Sequence, residues 1–209
     1  MSRTASSLKT QVDQRPHCGA FRCGVVCGDD VERAIEVRRR VYVEEFGFTL
    51  GGSVRDQVDD RATHLLAETG EGEAIASLRI LDESERPFEI ESFLSLSGFL
   101  TPGGHSAEIT RLCIAAAHRK LSRENMVHVA ILKAILEFSS RLGISEIIAS
   151  TRKELIGFYR YLLFETFPEA TYRHPDIGNS LHTLMRLNVT TLVERYKCVR
   201  PTLYRAILT

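Results

Sequence analysis

Four groups of charged side chains stand at spacings that matter for chemistry: Arg38-Arg39-Arg40-Val41-Tyr42, Asp56-Gln57-Val58-Asp59, Arg79, and Glu108-Ile109-Thr110-Arg111. Arg79 lies within the apolar run from Ala76 to Leu81, and Glu108 and Arg111 lie within another. A charge carried by a core strand is costly unless paired, and an arginine fork against a carboxylate resolves that cost. These residues therefore predict a buried polar cluster. Such a cluster can do two things to an amine-bearing substrate. A carboxylate takes the proton that an ammonium must lose before its nitrogen attacks, and an arginine holds a carboxylate through paired hydrogen bonds. A structural ion-pair network is the plain alternative. Glu108 and Arg111 are three residues apart, so an ideal strand points them to opposite faces unless a bulge re-aims one of them.

Two further segments carry polar chemistry. Ala117-His118-Arg119-Lys120-Leu121-Ser122-Arg123 places three basic residues at the start of a long helical pattern, where positive charge and bare helix amides suit an anion. A solvated basic helix start is the competing account. In Ile156-Gly157-Phe158-Tyr159-Arg160-Tyr161-Leu162-Leu163-Phe164, Tyr159 is either a packed aromatic or a proton donor. Cys113 sits in an apolar strand with no activating base, and burial raises a thiol's pKa, so packing explains it better than nucleophilic chemistry. His64, His105, His118 and His128 lack ligand spacing and read as structural or surface residues. His17, Cys18, Cys23 and Cys27 do not match common zinc patterns, so no metal site is expected.

The elements that must position these residues follow from periodicity. Phe21–Cys27 alternates as a strand, and Asp29-Asp30 opens a helix running to about Glu45. Thr63–Glu68 and Ala74–Leu81 form a hairpin around a glycine- and acid-rich turn. Residues 82–106 are a connection rich in apolar side chains, including Phe88, Ile90, Phe93, Leu94, Leu96, Phe99 and Leu100. Ala107–Ala115 is a strand, Arg123–Leu142 a long amphipathic helix stopped by Gly143, and Glu146–Thr151 a short buried strand. A helix at Glu154–Phe164, strands at Glu169–His174 and Ser180–Val189, and a helix around Thr191–Lys197 complete the order. Hairpins leading into βαβ units predict an α/β (α+β) fold, with a mixed sheet and helices on its faces. Ligands in such sheets sit at strand ends or where neighbouring strands diverge.

Composition narrows the class. The chain has 209 residues, 44% hydrophobic and 26% charged, with 27 basic and 27 acidic side chains. That suits one domain at 20–209 behind a flexible tail at 1–19. Zero net charge gives no global field for nucleic acid. No apolar run reaches the roughly 18 residues of a membrane span, and the polar N-terminus lacks the apolar centre of a secretory signal. Five cysteines are an odd count without a CxxC pair, which fits reduced thiols in a cytoplasm.

In order and in type, Arg38-x-x-Val41-Tyr42, Asp56-Gln57-Val58-Asp59, Arg79 and Glu108-Ile109-Thr110-Arg111 resemble the pattern of acyl-homoserine lactone synthases. The stretches Glu36–Glu45 and Glu108–Ile114 are more similar still to long-chain N-acyl amino acid synthases of the same superfamily. The resemblance covers about residues 20–175. It implies a GNAT-like N-acyltransferase fold with a central, mostly antiparallel twisted sheet. It also implies acyl transfer from a thioester, on acyl carrier protein or coenzyme A, to the amine of an amino acid, with no tightly bound cofactor and no metal. Carried over by position, Glu108, with Asp59 as its rival, would accept the amine proton, and Tyr159 would protonate the departing thiolate. Arg38, Asp56, Arg79 and Arg111 would shape the acceptor side. Cys113, Ile114, Arg119, Lys120 and Arg123 would line the donor side, with backbone amides near Arg111–Ile114 facing the oxyanion. Lactone synthases carry tryptophans near their pockets and this chain has none; Phe46 or Phe48 stands near one such position. Coenzyme A-dependent relatives have glycines in the phosphate loop where this chain has Leu121 and Ser122. Both departures favour an amino acid acceptor and a carrier-protein donor over a lactone synthase using S-adenosylmethionine or an acetyl-CoA-dependent enzyme.

Overall fold

A computed structural model describes residues 17, 18, 20–120 and 126–208. Among these residues, eight strands form one sheet in the order β1-β2-β3-β4-β5-β6-β8-β7. They are β1 (His17–Cys18), β2 (Phe21–Val26), β3 (Thr63–Thr69), β4 (Ala74–Asp82), β5 (Ser106–Ile114), β6 (Glu146–Arg152), β7 (Glu165–His174) and β8 (Ser180–Asn188). Every pairing is antiparallel except β5 with β6. That one parallel pair is joined by α2 (Val127–Leu142), whose stop is Gly143 at φ 70. A parallel neighbour needs such a crossover, whereas antiparallel neighbours need only turns.

The strands carry apolar side chains on both faces because both are covered. Leu65, Ala67, Leu78, Ile80 and Ile147 face α2 and the C-terminal helices α4 (Leu192–Val199) and α5 (Pro201–Leu208). Leu66 and Cys113 face α1 (Asp29–Arg38), packed with Ala34, Val37 and Val41. Leu81, Ile148 and Leu184 meet the long connection through Phe88, Ile90 and Leu96. The apolar content of that connection is thus spent covering the part of the sheet that α1 does not reach. The polar cluster lies on this same face, between α1 and the connection.

Several expectations shift. The residues assigned to a tail reach into the sheet at His17–Cys18, which pairs with β2. The helix expected to end near Glu45 changes pitch at Arg39 and continues as a π-helix over Arg39–Glu45. Its extra residue per turn rotates the side chains that follow Arg38. β7 starts at Glu165, earlier than expected, because a bulge between Phe167 and Thr171 lets the strand continue past Pro168. The helix expected over Glu154–Phe164 is shorter, at α3 (Ile156–Tyr161), and α5, which starts at Pro201, was not expected. Proline at a first helical position costs no hydrogen bond. The expected helix start at Ser122–Arg123 lies outside the described residues.

Candidate active site

β4 and β5 bring the polar cluster together, and a bulge decides which side chains belong to it. Thr110 pairs with Arg79 and Cys113 with Ser77, so an extra residue lies in β5 between those pairs. Arg111 takes φ 54 there, a left-handed conformation that a non-glycine residue adopts only when its surroundings enforce it. Glu108 and Thr110 face the cluster by ordinary alternation, and the kink turns Arg111 to the same side. The sequence left the meeting of Glu108 and Arg111 to a bulge; β5 has it.

Arg79 is fully buried and fully committed. Its Nε donates to Thr110 Oγ1 at 2.8 Å, Nη1 to Asp56 at 2.6 Å and Asp59 at 3.0 Å, and Nη2 to Glu89 at 2.7 Å. Arg38, 1% exposed, meets Asp59 at 2.9 Å. Asp56 caps the turn Gln57–Asp60 by accepting the N–H groups of Val58 and Asp59, while Asp59 accepts the N–H of Asp56. This reciprocal cap explains the Asp56-x-x-Asp59 spacing. Burial works to raise the Asp59 pKa, but Arg38 and Arg79 outweigh it and hold it below the ordinary carboxylate value. The Asp59 side chain has no exposed surface and does not line the cavity, so its place is that of a holder of two arginines.

Glu89, from the connection, completes the cluster. Its Oε2 meets Arg79 at 2.7 Å and its Oε1 meets Arg111 at 2.8 Å. Burial pushes it upward, and His174, Arg111 and Arg79 pull it well below the usual carboxylate range. Among the described residues, Glu108 has no cation of its own. Its two oxygens accept the N–H groups of Glu89 at 2.6 Å and Ile90 at 2.9 Å. Burial, with the Glu89 charge beside it, pushes Glu108 up to about 8.

Beside this cluster the sheet opens. β5 and β6 pair only from Ser106↔Glu146 to Ile109↔Ala149, and beyond that point a cavity of about 320 Å³ separates them. Glu108, Arg111, Cys113, Ile114, Arg119 and Tyr159 all line it, as do Glu89, Ser150, Tyr172, His174 and His182. The Tyr159 hydroxyl makes no hydrogen bond among the described residues, and burial pushes it up to about 12, so it stays protonated at neutral pH. Cys113 is buried, its Sγ lies 3.2 Å from Ser77 Oγ, and burial raises its pKa. Arg111 Nη1 is buried and has no hydrogen-bond partner among the described residues.

The basic segment is partly neutralised. Arg119 pairs with Glu45, donates from Nε to the Ile114 carbonyl at 2.8 Å, and lies over the Phe46 ring at 4.3 Å. Arg152 reaches the same aromatic pair, 5.5 Å from Phe46 and 5.3 Å from Phe48. Lys120 is exposed, and Arg123 lies outside the described residues. Phe88, Ile90 and Leu96 of the connection pack on Leu81 and Leu184 rather than lining the cavity. The apolar wall of the cavity comes from Ile109, Leu112, Ile114, Leu155 and Phe158. Glu89, Tyr172, His174 and His182 were not singled out from the sequence. The signal for the last three is the i, i+2 pairs Tyr172-x-His174 and Ser180-x-His182, which alternation puts on one face of a hairpin.

Residues 37–128 match the family model of the acetyltransferase (GNAT) domain. The fold matches FeeM, an N-acyl amino acid synthase from uncultured soil microbes, with TM-score 0.66 and 14% identity over 83% of this chain and 93% of that one. It matches the AHL synthase LasI at TM-score 0.59 and 16% identity, over 81% of this chain and 89% of that one. It also matches BjaI, a CoA-dependent acyl-homoserine lactone synthase solved with SAM and isopentyl-CoA. There the TM-score is 0.57 and the identity 18%, over 87% of this chain and 93% of that one. No curated protein matches the sequence closely enough to count as a relative. The mixed, mostly antiparallel sheet with helices on both faces is a GNAT fold.

Proposed function

We propose that this chain, which carries a GNAT acetyltransferase domain and is an N-acyltransferase of that type, moves an acyl group from a phosphopantetheine thioester to the amine of an amino acid. The observation that carries this reading is the cavity between the splayed β5 and β6. It has arginine and carboxylate chemistry at one side and an apolar wall at the other. An amino acid and an acyl chain need those two surfaces side by side.

Arg111 is the residue that holds the acceptor's carboxylate. Arg79 has every nitrogen bonded to the protein, whereas Arg111 lines the cavity and keeps Nη1 without a partner among the described residues. A bound carboxylate supplies the missing acceptor, which removes the cost of a buried unpaired donor. Arg38, Asp56 and Asp59 act one step back, by fixing Arg79 and the cluster. Glu108, on the cavity wall, takes the ammonium proton directly or through a water. The freed amine attacks the thioester carbonyl, forming the C–N bond and an oxyanion that backbone amides near Arg111–Ile114 stabilise. Collapse breaks the C–S bond, Tyr159 donates a proton to the departing thiolate, and the nitrogen's second proton passes through water to the Tyr159 phenolate, restoring it. No covalent enzyme intermediate is needed, and Cys113, which burial keeps protonated, is not a nucleophile.

The donor arrives from the side of Arg119 and Lys120, whose charge, with that of Arg123 close by in the sequence, suits the single phosphate of a phosphopantetheine and the acidic surface of an acyl carrier protein. The apolar wall takes a long acyl chain, and residues 20–209 act as one cytoplasmic domain. The test supplies purified protein with acyl carrier protein thioesters or acyl-CoA, and with each amino acid or S-adenosylmethionine. Products are read by mass. An N-acyl amino acid formed from the carrier-protein donor is the expected result. A lactone formed from S-adenosylmethionine, or transfer from acyl-CoA alone, overturns the acceptor or the donor assignment respectively.

A further inference from the structure

A second set of polar side chains lines the cavity from β6, β7 and β8, and its hydrogen bonds run in one direction. Ser180 donates its proton to the Ile177 carbonyl at 2.6 Å. Its oxygen is then an acceptor for His182 Nε2, 3.2 Å away, so the His182 proton sits on Nε2. Burial, together with His174, Arg152 and Arg111 nearby, pushes the His182 pKa down to about 4, so the ring is neutral and Nδ1 is bare. Bare Nδ1 accepts from Ser150, whose Oγ lies 3.4 Å away. With the Ser150 proton committed, the 2.6 Å contact between Ser150 Oγ and the Tyr172 hydroxyl has Tyr172 as donor. Each hydroxyl has one proton and each neutral imidazole one N–H, so a single fixed end sets the whole chain. The last oxygen, on Tyr172, has given its proton away and has only lone pairs left to offer.

We propose that Tyr172 is a substrate-binding residue whose oxygen accepts a hydrogen bond from the acceptor's amine, held in that role by the one-way chain through Ser150, His182 and Ser180. The assignment rests on the acyl-transfer reading given above. With the acceptor's carboxylate at Arg111, its nitrogen lies a short covalent distance away among the cavity's polar groups. Arg111 and Arg152 only donate, and both oxygens of Glu89 are engaged by Arg79 and Arg111. Glu108, held by two backbone N–H groups, is the group that takes the amine's proton rather than the one that orients its remaining N–H bonds. An attacking amine needs its N–H groups held by acceptors so that its lone pair points at the thioester carbon, and the Tyr172 oxygen is one such acceptor. Its ring is fixed by stacking on Phe93, with centroids 4.8 Å apart and planes 3° from parallel. Phe93 follows the turn that holds Glu89, so the amine site and the arginine cluster share one support.

Two measurements on the full-length protein test this. In ¹⁵N-histidine spectra near neutral pH, with His182 assigned through its loss in His182→Gln, the expected state is a neutral ring protonated at Nε2. A ring protonated at Nδ1, or an imidazolium, reverses or breaks the chain and overturns the proposal whether or not substrates are known. In kinetics, Tyr172→Phe is expected to lower kcat/KM for the amino acid roughly ten-fold or more, the scale of one hydrogen bond to a charged or polarised group, with the thioester KM unchanged. Ser150→Ala frees the Tyr172 proton to rotate and should weaken the amino acid in the same way, with Ser150→Thr restoring it. Unchanged acceptor kinetics in Tyr172→Phe overturn the proposal alone. A wild-type protein that acylates no amine overturns the acyl-transfer reading, and Tyr172's partner with it.

Discussion

Glu108 accepts the backbone N–H of Glu89 at 2.6 Å, and Glu89 bridges Arg79 and Arg111 with its two carboxylate oxygens. One buried carboxylate therefore places another, and the second ties β4 to the bulged residue of β5. Glu108 achieves this through backbone donors alone, without a cation on its own oxygens. That leaves it the only member of the central group, among the described residues with a resolved shift, whose charge the site disfavours.

The pH dependence follows from that difference. Glu108 is raised from 4.5 to about 8, so its contribution to stability is full below the lower value. It is lost as pH rises through about 8, where the buried group ionises. Activity that needs the ionised form rises over the same range. The expected profile of kcat/KM against pH has an ascending limb near 8 in the wild type. Glu108→Gln should lose that limb along with roughly a hundred-fold or more in rate. An unaltered limb in the Gln variant would assign it to the substrate amine.

Arg79 and Arg111 look alike in sequence and should behave differently. Removing Arg79 leaves Asp56, Asp59 and Glu89 without their shared cation in a buried site, a loss of about 3–5 kcal/mol by the usual cost of breaking buried pairs. Arg79→Met should therefore fail in thermal or denaturant unfolding before it fails in catalysis. Arg111 gives up fewer internal bonds, and Nη1 has none to lose. Arg111→Met should keep most of its stability and raise the amino acid KM about ten- to a hundred-fold, the worth of a charge-assisted pair. Equal losses of stability in the two variants would remove the distinction.

The part of this site legible in the sequence is the part written as a conflict. Arg79 in an apolar strand and Glu108-x-x-Arg111 across a strand's alternation both break local rules, and broken rules point to a site. Asp56-x-x-Asp59 was legible for a similar reason, since its spacing is that of a reciprocal turn cap. Glu89 was hidden because a glutamate in a surface-like connection breaks no rule, and its role depends on where the chain returns over the sheet. Tyr172, His174 and His182 fit ordinary strands, and only the β7–β8 register brings Tyr172 opposite His182. The π-helix at Arg39–Glu45 was equally invisible, because its residues suit an α-helix well.

Tyr159 carries a clean test of leaving-group protonation. Its hydroxyl has no hydrogen-bond partner among the described residues to lose, so Tyr159→Phe should leave the unfolding temperature nearly unchanged. The rate with an alkyl thioester should fall roughly a hundred-fold, the lower range for a positioned proton donor. Replacing the donor by an aryl thioester, whose thiolate leaves without help, should restore most of that rate. A variant equally slow with both donors would place the role of Tyr159 in packing.

On the proposed acyl-transfer reading, an acyl chain in the cavity extends along its apolar wall toward α2. Ile109, Leu112, Ile114, His128, Phe158 and Tyr159 border both the main cavity and a small apolar void of about 30 Å³ that reaches Leu132 and Ile135 on α2. A chain that grows past Phe158 meets Leu132. Truncating that side chain gives it room, and each further methylene that becomes buried is worth about 0.8 kcal/mol, roughly a four-fold preference. Leu132→Ala should therefore shift the favoured acyl length upward by one or two carbons in a competition among thioesters read by product mass. The same substitution removes core contacts and should cost about 2–5 kcal/mol of stability, so the competition is run well below the variant's unfolding temperature. A preference that stays at the wild-type length while stability falls would mean that the chain does not run toward α2, and the wall at Leu155 would become its boundary instead.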